Sequence, residues 1–234
     1  MFSFKEFSID QYGSAMKIGT DGVLLGAWAS VAHQPNSILD IGAGTGLLAL
    51  MLAQRCNAEQ IDALEIEESA FEQCVENFEH SPWADRLFCY HSGLDEFLDE
   101  VDEHYDLIIS NPPFYTEKVS SGNDARDAAR QTSALPFKEL LEGVERLLSA
   151  EGCFCTIIPF KEEIGFIELA KTFNLYPKRI VNVRGNPQAE VKRSLLELSR
   201  EQGKLNRDEL VIEIKRHQYT PEYIQLTRPF YIKM

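Results

Sequence analysis

Ser37-Ile38-Leu39-Asp40-Ile41-Gly42-Ala43-Gly44-Thr45-Gly46 is a short apolar run that breaks into glycines and leads straight into Leu47-Leu48-Ala49-Leu50-Met51-Leu52-Ala53-Gln54-Arg55. The pattern predicts a buried strand at 37–42, a tight loop, and a helix at 47–55, the opening of a βα unit. Working outward, the same rhythm continues. Strands are expected at 61–66, 87–92, 105–111, 152–159, 178–184 and 209–215, and helices at 68–78, 136–149 and 163–173. Strands that are continuous apolar runs between helices belong to a parallel sheet covered on both faces. The expectation is therefore an α/β, doubly wound, mostly parallel seven-stranded sheet. The last two strands lack a helix of the same kind between them and are expected to make an antiparallel edge. One domain spans 1–234, with an N-terminal extension or lid at 1–36, a core at 37–160 and a basic remainder at 161–234. An insertion is expected at about 185–208.

Composition bounds what such a domain does. The chain has 234 residues, 44% of them hydrophobic, enough to bury one sizeable core. No apolar run approaches the roughly 18 residues of a membrane helix, and the N-terminus lacks a signal-peptide layout, so a cytoplasmic protein without a membrane partner is expected. Cys56, Cys74, Cys89, Cys153 and Cys155 form no CxxC pair, which predicts reduced, mostly buried thiols and no metal site. The acidic stretch 95–103 carries Phe97, Leu98 and Val101 at helical spacing, so it is expected to be an amphipathic helix with a wet face, not a cation site. The net charge is −14. Averaged over the chain it argues against nucleic acid. Resolved along the chain it does not: residues 1–170 hold 10 Lys and Arg against 30 Asp and Glu, and residues 171–234 hold 13 against 7.

Two loops carry the chemistry. In an open α/β sheet, ligands sit beyond the carboxyl ends of the strands. Gly42, Gly44 and Gly46 let backbone approach a ligand there, but position 47 is Leu where a dinucleotide motif wants glycine. Asp40 before the loop would repel a pyrophosphate and welcome a cation. Glu65 closes the second strand, where an acid holds ribose hydroxyls. A nucleoside with a positive group and no phosphate satisfies both, and S-adenosylmethionine is such a molecule. The second loop is Asn111-Pro112-Pro113-Phe114-Tyr115. A conjugated amino nitrogen is a poor nucleophile. If the Asn111 side-chain oxygen and the Pro112 carbonyl each accept one N–H, they fix that amino group and aim its lone pair. Pro112 and Pro113 stiffen the loop, since near-attack geometry tolerates little slack. Phe114 or Tyr115 would stack on a planar substrate, worth about 1–3 kcal/mol per base.

These residues resemble known families. Asp40 to Gly46 followed by Glu65 resembles the cofactor motif of class I S-adenosylmethionine-dependent methyltransferases, across about 37–160, which implies a Rossmann-like sheet. In that family an acid after the third strand meets the adenine; this chain has His91-Ser92-Gly93-Leu94, so Ser92 or the Leu94 backbone would substitute. N-P-P-F-Y is similar to the motif of amino-methyltransferases that act on adenine N6, cytosine N4, guanine N2 or glutamine N5, and its asparagine form implies RNA or protein substrates. Met16-Lys17-Ile18-Gly19-Thr20-Asp21-Gly22-Val23-Leu24-Leu25-Gly26-Ala27-Trp28 together with N-P-P-F-Y closely resembles the bacterial family that N6-methylates the adenosine 3′ of the anticodon in a valine tRNA. The resemblance implies that Gly19 and Thr20 lie near the cofactor's methionine end. It also implies RNA contacts from Arg126 and Arg130, where Gln131 replaces the family's usual histidine. Phosphate contacts are further expected from Lys178, Arg179, Arg184, Lys192, Arg193, Arg200, Lys204 and Arg207. The rivals are a protein glutamine-N5 methyltransferase, an rRNA guanine-N2 methyltransferase and a non-catalytic nucleoside-binding module.

Overall fold

The computed structural model describes residues 1–12, 17–113 and 136–233. Its strands are β1 (Phe2–Ser3), β2 (Ser8–Ile9), β3 (Ser37–Ile41), β4 (Gln60–Glu65), β5 (Leu87–His91), β6 (Tyr105–Ser110), β7 (Leu148–Pro159), β8 (Tyr176–Arg184), β9 (Val191–Ser199), β10 (Asn206–Val211), β11 (Glu213–Lys215) and β12 (Gln218–Tyr219). The described helices are α1 (Thr20–Trp28), α2 (Leu47–Arg55), α3 (Glu68–Glu79), α4 (Leu94–Glu100), α5 (Phe137–Leu147), α6 (Glu163–Thr172) and α7 (Pro221–Thr227), with a 3-10 turn at Phe160–Glu162.

Eight strands form the main sheet in the order β10-β8-β9-β7-β6-β3-β4-β5. The α/β, mostly parallel class stands, and two details differ from the sequence expectation. There are eight strands, and the antiparallel one is interior: β9 pairs antiparallel with both β7 and β8, while the edge strand β10 runs parallel to β8. The supposed insertion at 185–208 therefore contains β9. Its alternation was hidden because Lys192, Arg193 and Glu197 interrupt it; Ser194, Leu195, Leu196 and Leu198 are fully buried, while Arg193 and Glu197 reach ion-pair partners. The expected strand 209–215 is two elements, since β10 ends at Val211 and Glu213–Lys215 turns through His217 (φ 64°) to pair with β12.

The two faces of the sheet bury separate cores. Leu107, Ile109, Cys155, Ile157 and Leu195 meet α1, α2, α3 and α7, and Ile108, Phe154, Ile158 and Leu196 meet α4, α5 and α6. The period-2 alternation of β6, β7 and β9 sends odd positions to one face and even positions to the other. α1 and α2 are both almost wholly buried because they pack on each other: a Cβ on Gly26 would stand 2.6 Å from the Met51 sulfur. Arg179 of β8 closes this layer, its guanidinium 3.9 Å from the Trp28 ring and bonded to the Trp28 carbonyl at 3.0 Å. The cysteines are free thiols, with Cys153 and Cys155 buried on one face. No helix is long and apolar enough to cross a membrane among the described residues.

Candidate active site

β3 stands mid-sheet between β4 and β6, so its loop opens at the centre of the carboxyl edge. Asp40 is fully buried there. Its Oδ2 accepts the Ala49 amide at 3.2 Å, and its Oδ1 has no hydrogen-bond partner among the described residues. Burial pushes the Asp40 carboxyl up to about 7; the Ala49 amide pulls it down and the Glu65 charge pushes it up further. Gly42 (φ 73°), Gly44 (φ 58°) and Gly46 (φ 82°) are left-handed, a conformation that costs an L residue about 1–2 kcal/mol. A Cβ on Gly42 or Gly44 would meet nothing within 4 Å, whereas one on Gly46 would stand 2.5 Å from Phe78 and 2.9 Å from the Cys74 sulfur. Gly46 thus serves the packing of α3, and the first two glycines line an open cradle.

Glu65 ties that loop in place. Its Oε2 accepts the Gly44 amide at 2.7 Å and its Oε1 the Glu67 amide at 2.9 Å, leaving further lone pairs on each oxygen. Ile66 follows with 59% exposure, an apolar group held open beside the carboxylate. At the end of β5 the His91 ring stacks on Phe71 and its Nε2 lies 3.2 Å from the Ile66 carbonyl. Ser92 donates its amide to the Glu65 carbonyl and its hydroxyl to the Gly93 carbonyl. The Leu94 side chain is buried against Gly143, so Leu94 keeps only backbone for this wall.

The N-terminal segment is built into the site. Asn77 accepts the Asp10 amide at 2.8 Å and donates to the Asp10 and Thr45 carbonyls at 3.0 Å each, stapling the segment to the glycine loop. Gln11 then accepts the Ile18 amide at 2.9 Å. Gly19 is the residue before α1, and Thr20 is its exposed first residue. One turn further, a Cβ on Gly22 would stand 2.9 Å from Leu47, so this glycine lets α1 pack closely on the start of α2, with the Asn111 Nδ2 3.9 Å away. Asn77, Gly22 and Ile66 were not singled out from sequence. Asn77 could have been: a buried amide beside Cys74 and Phe78 on the apolar face of α3 is a signal of a polar task.

Asp40 pairs with Ile109, so Asn111 leaves β6 at the height at which Gly42 leaves β3. Ser110 locks the two strand ends together by donating to the Ile41 carbonyl at 2.8 Å. The Asn111 Oδ1 is buried and has no hydrogen-bond partner among the described residues. Pro112 is buried and Pro113 half-buried. Phe114, Tyr115, Arg126 and Arg130 lie outside the described residues. Asp40, the glycines, Glu65, Ser92, Asn111 and the start of α1 do converge on one edge of the sheet.

The expected phosphate-binding cations are for the most part engaged elsewhere. Arg193 donates to Asp21 of α1 at 2.8 Å, Arg179 pairs with Glu197, Arg184 with Glu209, Arg200 with Glu145, Arg207 with Glu163 and Lys178 with Glu201. Lys192 and Lys204 are exposed and carry no ion pair among the described residues. No cluster of three or more His, Cys, Asp or Glu that could hold a metal occurs among the described residues.

Residues 19–155 match the methyltransferase small domain family. The chain is 62% identical over 235 residues, all of both chains, to the tRNA1(Val) (adenine(37)-N6)-methyltransferase of Flavobacterium johnsoniae. It is 43% identical to the enzyme of the same name from Bacteroides fragilis, covering 100% of this chain and 98% of that one. Among solved structures, a predicted O-methyltransferase from Agrobacterium tumefaciens shares the fold, with a TM-score of 0.69 at 18% identity over 90% of this chain and 96% of that chain. A loop that leaves the central strand through left-handed glycines, with an asparagine just past the next strand whose Oδ1 has no partner among the described residues, agrees with these matches, and the chain belongs to the methyltransferase small domain family, alongside the tRNA1(Val) (adenine(37)-N6)-methyltransferases.

Proposed function

We propose that this enzyme transfers a methyl group from S-adenosylmethionine to the exocyclic N6 of an adenosine in tRNA, the one 3′ of the anticodon in a valine tRNA. The names of its full-length relatives support the substrate. The observation that carries the chemistry is the buried Asn111 Oδ1, without a hydrogen-bond partner among the described residues, at the height of the glycine loop. A buried acceptor without a donor costs about 1–3 kcal/mol, and an amino N–H donated by a substrate offsets that cost.

The residues present fit the cofactor. The cradle at Gly42 and Gly44 is open on the side a Cβ would fill, and the orphan Asp40 Oδ1 suits a cationic ligand. Gly19, Thr20, Asp40, the loop glycines, Glu65, Ser92 and the Leu94 backbone would hold it, with Ile66 offering an apolar surface beside Glu65. Bound there, it supplies a methyl carbon made electrophilic by the attached sulfonium. The rest falls to this chain. Asn111 and the Pro112 carbonyl accept the two N–H bonds of the target amine, and Pro113 keeps their spacing rigid. Asn111 is no base, so the proton leaves to solvent after transfer. Phe114 and Tyr115 are assigned to stacking and Arg126 and Arg130 to the RNA.

The test uses purified protein, labelled S-adenosylmethionine and tRNA from a strain lacking the activity, with the modified nucleosides mapped. Label in N6-methyladenosine 3′ of the valine anticodon is expected; label in protein glutamine instead would replace the reading. Asn111→Ala should lower turnover at least about a hundredfold with cofactor affinity retained, and equal loss of both would make Asn111 a structural residue.

A further inference from the structure

We propose that Phe160, flanked by Lys161 and Lys192, is a stacking step on the rim of the site, on which a nucleotide neighbouring the target adenosine rests. The proposal depends on the tRNA reading and extends it by naming where RNA outside the target base is held.

Phe160 is 42% exposed on the 3-10 turn that follows β7, and Ile164, four residues on, is 77% exposed. A phenylalanine this open is out of keeping with Phe154 and Phe166 on either side of it in sequence, both of which are buried. Its position is set by register. Ser110 pairs with Thr156 at the end of the parallel ladder, so Asn111 leaves β6 just past that level and Phe160 follows β7 a few residues beyond it. Pro159 pairs in turn with Arg193, which makes Lys192 the first residue of β9 beyond the ladder. The antiparallel pairs Ile158 with Ser194 and Pro159 with Arg193 bring the turn that opens at Phe160 level with Lys192.

Charge favours a nucleotide over another apolar partner. Lys161 and Lys192 are exposed and without ion-pair partners among the described residues, whereas Arg193 beside them is bound to Asp21. The turn itself is pinned. Glu163, buried directly after it, accepts Asn182 Nδ2 at 2.6 Å, Ser194 Oγ at 2.5 Å and Arg207 Nη1 at 2.8 Å. An aromatic ring presented on a fixed turn loses little freedom when a base stacks on it.

Methylation of a valine tRNA transcript by wild type, Phe160→Ala, Phe160→Trp and the Lys161→Gln/Lys192→Gln double variant tests this, with cofactor affinity and melting temperature measured on each. Phe160→Ala should raise KM for tRNA about tenfold, with cofactor affinity and melting temperature unchanged, and Phe160→Trp should restore it. The double lysine variant should reduce the dependence of log affinity on log salt by about two. An unchanged KM in Phe160→Ala alongside an active wild type overturns the proposal alone. So does a concentration-dependent dimer of the wild type, seen by ultracentrifugation and abolished by Phe160→Ala, because the ring would then serve a second copy of the chain. A wild type that methylates no tRNA overturns the tRNA reading and this proposal with it.

Discussion

Asp40 on β3 and Glu163 at the start of α6 are both buried carboxylates, and they are treated in opposite ways. Asp40 has one backbone amide on one oxygen and nothing on the other, and burial lifts it to about 7. Glu163 has three side-chain donors; burial pushes its carboxyl up, but the bonds from Ser194, Arg207 and Asn182 together outweigh it and hold it below its ordinary value. The half of the molecule around β3 leaves polar capacity unspent, at Asp40 and again at Asn111. The half around β8 and β9 spends most of its charge internally, in the ion pairs of Arg179, Arg184, Arg193 and Arg207, although the Arg184 Nε has no partner among the described residues. Unspent buried polarity is costly unless a ligand uses it, so two unspent oxygens at the carboxyl edge of β3 and β6 support the proposed placement of the chemistry there.

The largest effect should come from removing the unspent charge. Asp40 has its folded value raised above the ordinary 3.8 to about 7. Its cost is therefore absent below about pH 4, grows as pH rises between the two values, and is complete above pH 7. Asp40→Asn should then raise the stability of the ligand-free protein at pH 8 by up to about 4 kcal/mol, at 1.36 kcal/mol per unit, as read from denaturant unfolding. The gain is expected to fade toward pH 4. Cofactor affinity should move the other way: in the wild type it should strengthen as pH rises through 7 and Asp40 ionises, and in Asp40→Asn it should be weaker and flat. A wild-type affinity independent of pH would remove Asp40 from the cofactor's cationic end.

Breaking the satisfied carboxylate should do the reverse. Glu163→Ala takes one acceptor from each of Ser194, Asn182 and Arg207 and should cost about 2–3 kcal/mol of stability at pH 7. Because the folded value lies below the ordinary 4.5, the wild-type advantage is full above that value and is lost as pH falls through the depressed one. Thermal unfolding of both proteins from pH 7 downward should show the two curves converging. Curves that stay parallel would mean that Glu163 stabilises through packing and not through its charge.

How much of this could be seen in sequence differs between the same two regions. The elements from β3 to β7 follow the written pattern closely: the helix expected at 47–55 is Leu47–Arg55, and the strand expected at 105–111 is Tyr105–Ser110. There the chain obeys local rules, because buried parallel strands are continuous apolar runs and glycines mark the loop. β9 was missed because its solvent-like charges are satisfied across space. Arg193 finds Asp21, distant by 172 residues, and no local pattern encodes that pairing. The charge of the basic tail is likewise partly met across space. Seven of its cations lie in ion pairs, so a net excess along the chain is not an excess on the surface. That Asp40, Glu65 and Asn111 meet at one edge of the sheet was legible in the sequence, while Asn77, which staples the N-terminal segment to the glycine loop, and Gly22, which lets α1 pack on α2, act through tertiary contacts alone.

The smallest expected effect separates spent from unspent cations in that tail. Three exposed or half-buried positions make the comparison. Lys192 stands at the carboxyl edge without an ion pair among the described residues, Arg184 reaches the same edge but is bound to Glu209, and Lys204, likewise without an ion pair among the described residues, lies in the turn between β9 and β10 at the opposite end of the sheet. Each phosphate neutralised by a protein cation contributes about 0.9 to the slope of log affinity against log salt. Lys192→Gln should therefore lower the slope for tRNA binding by about one. Arg184→Gln should leave it unchanged, because its charge is already compensated by Glu209, and Lys204→Gln should leave it unchanged because RNA seated over Asn111 does not extend to the far end of a strand. Titrations of the three variants at four or more salt concentrations read these slopes directly. Equal reductions at all three positions would mean that the tail acts as a diffuse positive field, and would break the division between a scaffold that neutralises its own charge and a rim that keeps a little for its substrate.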